Sequence, residues 1–157
     1  MDIADARSRF AELAKKTDGV LPADLDAVWS ALEPARAEDV LGAWKGSQFF
    51  TGHRLCRKLT AGNWHGKNFE SLERAQPLIC RNDNGELYSD IETGGGEASL
   101  WNIEFRGEVT ATMVYDGAPI FDHFKRVDSN TLMGIMNGKP ALVLDGGHHY
   151  YFALERE

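Results

Sequence analysis

The sequence predicts a mainly β protein: about ten short antiparallel strands forming one sandwich or closed barrel, behind short N-terminal helices. Three observations carry this expectation. The apolar period changes at Gly42, from the helical spacing of the first forty or so residues to the alternation of a sheet. Turn-forming clusters then recur along the chain: Asn82-Asp83-Asn84-Gly85, Asp116-Gly117-Ala118-Pro119, Asp128-Ser129-Asn130, Asn137-Gly138-Lys139-Pro140 and Asp145-Gly146-Gly147. The segments between these turns follow one another too closely for helical crossovers, so their pairing must be antiparallel.

Residues 2–16 read as an amphipathic helix, with Ile3, Ala6, Phe10, Leu13 and Ala14 near one face, ended by Thr17-Asp18-Gly19. Pro22 opens a second helix, Asp24 and Asp26 sit near its positive end, and Glu33-Pro34 stops it. Its apolar stripe is Leu25, Val28, Trp29 and Leu32. Residues 36–41 form one more helical turn. Either these helices plug one end of the sheet, or they pack against its outside. Strands are expected near 43–50, 53–59, 64–70, 77–82, 86–92, 98–106, 108–115, 119–127, 131–137, 140–145 and 148–155. Gly42-Ala43-Trp44-Lys45-Gly46 begins the first of them; the glycines let a ring or a backbone approach closely, and Trp44 fills or plugs one end.

A chain of 157 residues supports one domain with a substantial core. Its 43% hydrophobic and 26% charged content are ordinary for a globular protein. A formal charge of −7 argues against nucleic-acid partners, which require a basic surface. No apolar run reaches the length of a bilayer span, so no membrane role is expected. The segment Met1–Lys16 carries Asp2, Asp5 and Glu12 and lacks the apolar core of an export signal. Cys56 and Cys80 are therefore expected to be reduced thiols in a cytoplasmic protein.

The motifs, taken in order, resemble one family. Gly42-Ala43-Trp44-Lys45-Gly46, then Thr51-Gly52-His53 and Trp64-His65-Gly66-Lys67-Asn68-Phe69, are similar to the GXWXG module. Arg106-Gly107, Met113-Val114-Tyr115-Asp116, Pro119-Ile120-Phe121-Asp122-His123-Phe124-Lys125, Gly134-Ile135-Met136 and Tyr151-Phe152-Ala153-Leu154-Glu155-Arg156 resemble the DUF4334 module that usually follows it. His65 departs from the pattern, where a Tyr is more usual. The resemblance implies a single antiparallel β-barrel of the calycin type, like lipocalins and nitrobindin. On that basis residues 1–41 would be a helical segment packed on a barrel formed by 42–157. The GXWXG module would span about 36–92 and the DUF4334 module about 98–157, in one structural domain. A relative in the family is associated with cofactor-free opening of a terpene epoxide.

Alternation sorts the candidate lumen residues. In 108–115, Val109, Ala111, Met113 and Tyr115 share the expected inner face. In 98–106 it is Trp101, Ile103 and Phe105. In 131–137, Met133 and Ile135 alternate with Leu132 and Met136. Trp44, Trp64, Trp101, Met113, Tyr115, Phe124, Met133 and Met136 are the candidate ligand-binding residues, because Met and aromatic side chains adapt to apolar ligands. Plain core filling is the competing explanation for the methionines.

Strand 119–127 brings ionisable groups to this apolar interior. In one register Asp122 points inward with Ile120 and Phe124; in the other His123 does, with Phe121 and Lys125. A carboxyl group in an apolar cavity stays protonated more readily and can act as an acid. The structural alternative is a salt bridge from the inward group to Arg106 or Lys67. His53 and Lys67 are further candidates, for proton transfer and for pairing with a carboxylate. His148 and His149 are adjacent on a strand and point to opposite faces, so they cannot chelate one ion together.

No zinc spacing, nucleophile elbow or phosphate loop is present, so neither a metal nor a cofactor is expected. The expected function is binding of a small hydrophobic or amphipathic molecule in the lumen, with a homodimer allowed. The first alternative is a cofactor-independent lyase or isomerase acting on a small epoxide, with Asp122 or His123 as the acid. The second is a haem-binding barrel with His148 or His149 as the proximal ligand.

Overall fold

Ten strands form one antiparallel sheet in the computed structural model, which describes residues Met1–Glu157, and eight of them close it into a barrel. Helices α1 (Ile3–Lys15) and α2 (Pro22–Ala31) come first, then the short strand β1 (Glu33–Pro34) and a 3-10 turn, Ala37–Asp39. Next are β2 (Gly42–Gln48), α3 (Arg54–Ala61), β3 (Trp64–Phe69), β4 (Ala75–Arg81) and β5 (Leu87–Ser89). The remainder is β6 (Ala98–Phe105), β7 (Glu108–Tyr115), β8 (Ile120–Asp128), β9 (Thr131–Gly138), α4 (Pro140–Val143) and β10 (Tyr150–Arg156). Around the ring the order is β2-β3-β4-β6-β7-β8-β9-β10, and β10 returns to β2. β1 and β5 lie outside the ring, paired to β8 and β4.

The side chain of Asp2 caps α1 by accepting the Asp5 N–H at 2.8 Å. The apolar stripes of α1 and α2 pack on the outside of the barrel rather than over its mouth. Phe10, Leu13, Val28 and Trp29 form one core with Met133, Ile135, Tyr151 and Ala153, the outward residues of β9 and β10. The barrel wall is therefore apolar on both faces along these strands.

A second core fills the lumen. Trp44, Phe69, Leu100, Ala111, Met113, Phe124, Leu132 and Leu154 occupy the half nearest the N-terminus of β2. Ala35, Ala37 and Val40 close that end, and Trp44 donates its indole N–H to the Val40 carbonyl at 2.8 Å. Gly42, at φ +120°, turns the chain from this plug into β2, a conformation that side chains resist. Gly46 and Gly134 serve a different purpose. A Cβ on Gly46 would lie 2.2 Å from the Trp64 ring, and one on Gly134 would lie 2.2 Å from the Phe152 ring. Two aromatic rings thus lie against bare backbone of the barrel wall.

Four expectations are corrected. Residues 53–59 do not form a strand; they begin α3, where Leu55, Cys56 and Leu59 pack inward at helical spacing. Residues 140–145 likewise hold the one-turn helix α4, opened by Pro140. The faces of 98–106 are exchanged: Ala98 and Leu100 point into the lumen, opposite Tyr115 and Met113. Trp101 is 57% exposed outside, and Phe105 packs edge-on against Trp29. Val109, expected inside, is exposed beyond the end of the lumen. No helix is long and apolar enough to cross a membrane.

Candidate functional site

β3 and β8 stand opposite each other in the ring, four strands apart in either direction. Their inward side chains therefore meet across the lumen. Lys67 of β3 places its Nζ 2.9 Å from Oδ2 of Asp122 on β8, and both side chains are 3% exposed. The same ammonium lies 3.3 Å from the Pro77 carbonyl, 5.1 Å from the centre of the Phe152 ring and 5.7 Å from that of Trp64. Asp122 Oδ1 is buried and has no hydrogen-bond partner. Burial pushes the Asp122 carboxyl above the usual carboxylate range, and the Lys67 charge only partly opposes it.

Above this pair lies a cavity of about 180 Å³. Leu59, Trp64, Leu78, Ile120, Met136 and Phe152 supply much of its wall, and 11 of its 16 lining residues are hydrophobic. Its mouth is framed by Leu55 and Lys58 of α3, by Thr93 and Gly94, by Ala118 and by Leu142 of α4. Two tyrosines line it as well. Tyr150 donates its hydroxyl to Gln48 Oε1 at 2.7 Å. Tyr115 lies on β7, diagonal to Asp122, whose direct partner on that strand is Met113. Burial, and then the nearby Asp122 charge, hold the Tyr115 hydroxyl well above its usual value, so it stays protonated. The arrangement is a largely apolar pocket with one compensated ion pair, one unpartnered carboxylate oxygen and two phenols, of which that of Tyr150 is bonded to Gln48.

Family models match the chain in two blocks: "GXWXG protein" over residues 27–85 and "Domain of unknown function (DUF4334)" over residues 96–156. A crystal structure of a protein from Thermomonospora curvata is 35% identical and superposes with a TM-score of 0.87, over 98% of this chain and 99% of that one. The chain belongs to the GXWXG/DUF4334 family. No curated protein matches it. In this GXWXG/DUF4334 barrel the first block supplies Lys67 and the second supplies Asp122, so the site exists only where the two blocks meet.

The barrel brings some predicted site residues together and separates others. Trp64, Lys67, Tyr115, Asp122 and Met136 line the cavity. Trp44, Met113 and Phe124 are in the lumen, but within its packed half. Met133 and Trp101 are not in the lumen. Met133 sits under α1 and α2, and Trp101 lies on the outer surface. The reason is one of parity: Met136 and Asp122 are register partners facing in, so odd-numbered residues of β9 face out.

His123 also faces outward. It stacks on Phe105 with ring centres 4.1 Å apart, and its Nδ1 lies 2.7 Å from Thr112 Oγ1. Asn137 Nδ2 lies 3.1 Å from its Nε2. Burial, with His149 and Arg106 adding to it, pushes its pKa down to about 4. His53 caps α3: its Nδ1 accepts the Leu55 N–H at 3.1 Å and its Nε2 meets the Val143 carbonyl at 2.9 Å. Both ring nitrogens tie α3 to α4, and neither faces the cavity. His149 bonds the Met136 carbonyl through Nδ1 at 2.7 Å, and His148 is exposed. No histidine lines the cavity, so neither His148 nor His149 is placed to ligate a haem there.

Sequence reasoning missed Tyr150 and Phe152, which line the cavity from β10. Their alternation in 148–155 was the available signal. It also missed Leu55 and Leu59, which depended on recognising α3 as a helix.

Proposed function

We propose that this barrel holds a small, largely apolar molecule in the cavity above Lys67 and Asp122. One observation carries the proposal: a largely apolar cavity of about 180 Å³ is lined at one side by a buried ion pair, one of whose carboxylate oxygens has no hydrogen-bond partner. Native cores are otherwise packed without such gaps. An engineered apolar cavity of roughly 150 Å³ accepts benzene, so a compact molecule somewhat larger than benzene fits the space. Titration with small cyclic hydrocarbons and alcohols, followed by Trp64 fluorescence and thermal melting, tests this. Saturable quenching and a raised Tm are expected, and both should vanish in Ile120→Trp, which fills the cavity. The absence of any response in the wild-type protein overturns the proposal.

A second function has its own support in the raised pKa of Asp122. In an apolar cavity a protonated carboxyl can give its proton to an epoxide oxygen and, once ionised, take one from a neighbouring carbon, which isomerises a small epoxide without a cofactor. Asp122 is the candidate acid, with the Lys67 ammonium beside it, whereas His123 and His53 face elsewhere. A panel of terpene epoxides incubated with wild type and Asp122→Asn tests it. Loss of turnover with retained ligand binding is expected. Equal turnover in the two proteins removes Asp122 as the acid.

A further inference from the structure

We infer that the cavity selects neutral molecules carrying a single hydroxyl group, apolar alcohols or phenols, and rejects carboxylates. This rests on the lumen-binding proposal above. The first argument concerns the cation. An ammonium has three N–H donors and no acceptor. At Lys67 one donor goes to Asp122 and another to the Pro77 carbonyl, and the faces of Phe152 and Trp64 flank the charge. A barrel that anchors a carboxylate needs an uncompensated cation, and this one is already paired.

The second argument concerns Asp122. Its Oδ1 is a buried acceptor with no partner in the protein, a group that native structures leave unsatisfied only rarely. A ligand carboxylate would bring a second negative charge beside it in a dry space, where repulsion is strong. A ligand ammonium would meet Lys67 in the same way. The third argument concerns Tyr115. Tyr115 lines the same cavity from the neighbouring strand, none of the protein's hydrogen bonds engages its hydroxyl, and that hydroxyl remains protonated and able to donate. A hydroxyl group both donates and accepts, so it can receive a proton from Tyr115 and, with a turn of the buried carboxylate toward it, give its own to Asp122 Oδ1. A ketone or ether would accept from Tyr115 but leave Oδ1 orphaned. A hydrocarbon would satisfy neither.

A matched series decides the matter: cyclohexylmethanol, methylcyclohexane and cyclohexanecarboxylate, which share one ring, titrated at neutral pH into wild type and Tyr115→Phe by calorimetry. Removal of one hydroxyl leaves the ion pair intact, so the variant should keep its fold, which a thermal melt checks. The alcohol is expected to bind wild type about tenfold tighter than the hydrocarbon, the worth of one well-made buried hydrogen bond. The carboxylate is expected not to bind. Tyr115→Phe should reduce the preference for the alcohol several-fold and leave hydrocarbon affinity unchanged. If the hydrocarbon binds as tightly as the alcohol, or the carboxylate binds tightest, the selection is overturned while the lumen-binding proposal stands. If none of the three binds, both fall.

Discussion

Strand β8 buries ionisable side chains on both of its faces, and the two faces solve the same problem differently. Outward, His123 has a polar partner at each ring nitrogen, and Lys125 is bound to the Trp29 carbonyl at 3.0 Å and to Glu108. The one unmatched donor on that side is the neutral indole N–H of Trp29, and both titratable groups of the strand have partners there. Inward, Asp122 has one oxygen bonded and one without a partner, on a residue that lines the cavity. Burial of charge alone therefore does not mark a site. A charged acceptor left without a partner on a residue that lines a cavity is the better marker, because native structures rarely leave such a group unmet.

The sharpest way to break this contrast is Lys67→Met. Removing one partner of a buried pair leaves the other charge stranded, at a cost of roughly 3–5 kcal/mol. The double variant Lys67→Met/Asp122→Leu should recover most of that loss, since it removes both charges. Thermal and urea melts of the two proteins check this, and a double variant no more stable than the single would show that the pair does not act as a unit.

The outer face is probed by pH. His123 has its folded pKa pushed down to about 4 from an ordinary 6.5. Its contribution is complete above pH 6.5 and is lost as pH falls toward 4, up to about 3 kcal/mol in all. His149, lowered chiefly by burial, acts with the same sign. Asp122 acts oppositely, because its raised value means stability is lost as pH rises through it. Urea midpoints measured between pH 4 and 7 should rise with pH in wild type and flatten in His123→Gln.

Smaller effects follow from partners that keep access to water. Lys125→Met should cost only about 1 kcal/mol, the bond to the Trp29 carbonyl, because Glu108 is 43% exposed and can be solvated again. A loss as large as that of Lys67→Met would erase the distinction between the two faces. Trp101→Ser, on the exposed side of β6, should change stability by less than about 0.5 kcal/mol and leave ligand binding unaltered.

The strands and their turns were legible because alternation and Asn/Asp/Gly clusters act locally. α3 is the exception: a strand is expected there, because charged residues obscure the short helical stripe of Leu55, Cys56 and Leu59 before Gly62. The inner face of β6 was not legible either. Its larger side chains, Trp101, Ile103 and Phe105, made that face look like the lumen. Phe105 is instead claimed by Trp29 from a helix far away in sequence, a tertiary demand that no local window contains. At the site, Asp122 with Lys67 was one pairing among several the sequence allowed. The choice depends on β8's register with β7 and β9, and on irregular pairing between β3 and β4 around Gly66. The bare Oδ1 has no sequence signature, because an unmet bond is a property of what surrounds it.

Around the barrel, β10 and β2 are joined over five residue pairs, while β4 and β6 meet at one, Ala75 with Ala98. Farther along, β4 turns to β5 instead, and the chain between β5 and β6 carries Thr93 and Gly94 at the cavity mouth. A closed ring opens where its stitching is thinnest. Amide exchange should therefore be fastest along this seam. A guest too wide for the resting mouth would then enter by parting these two strands, and its rate of escape would report how often the wall unzips.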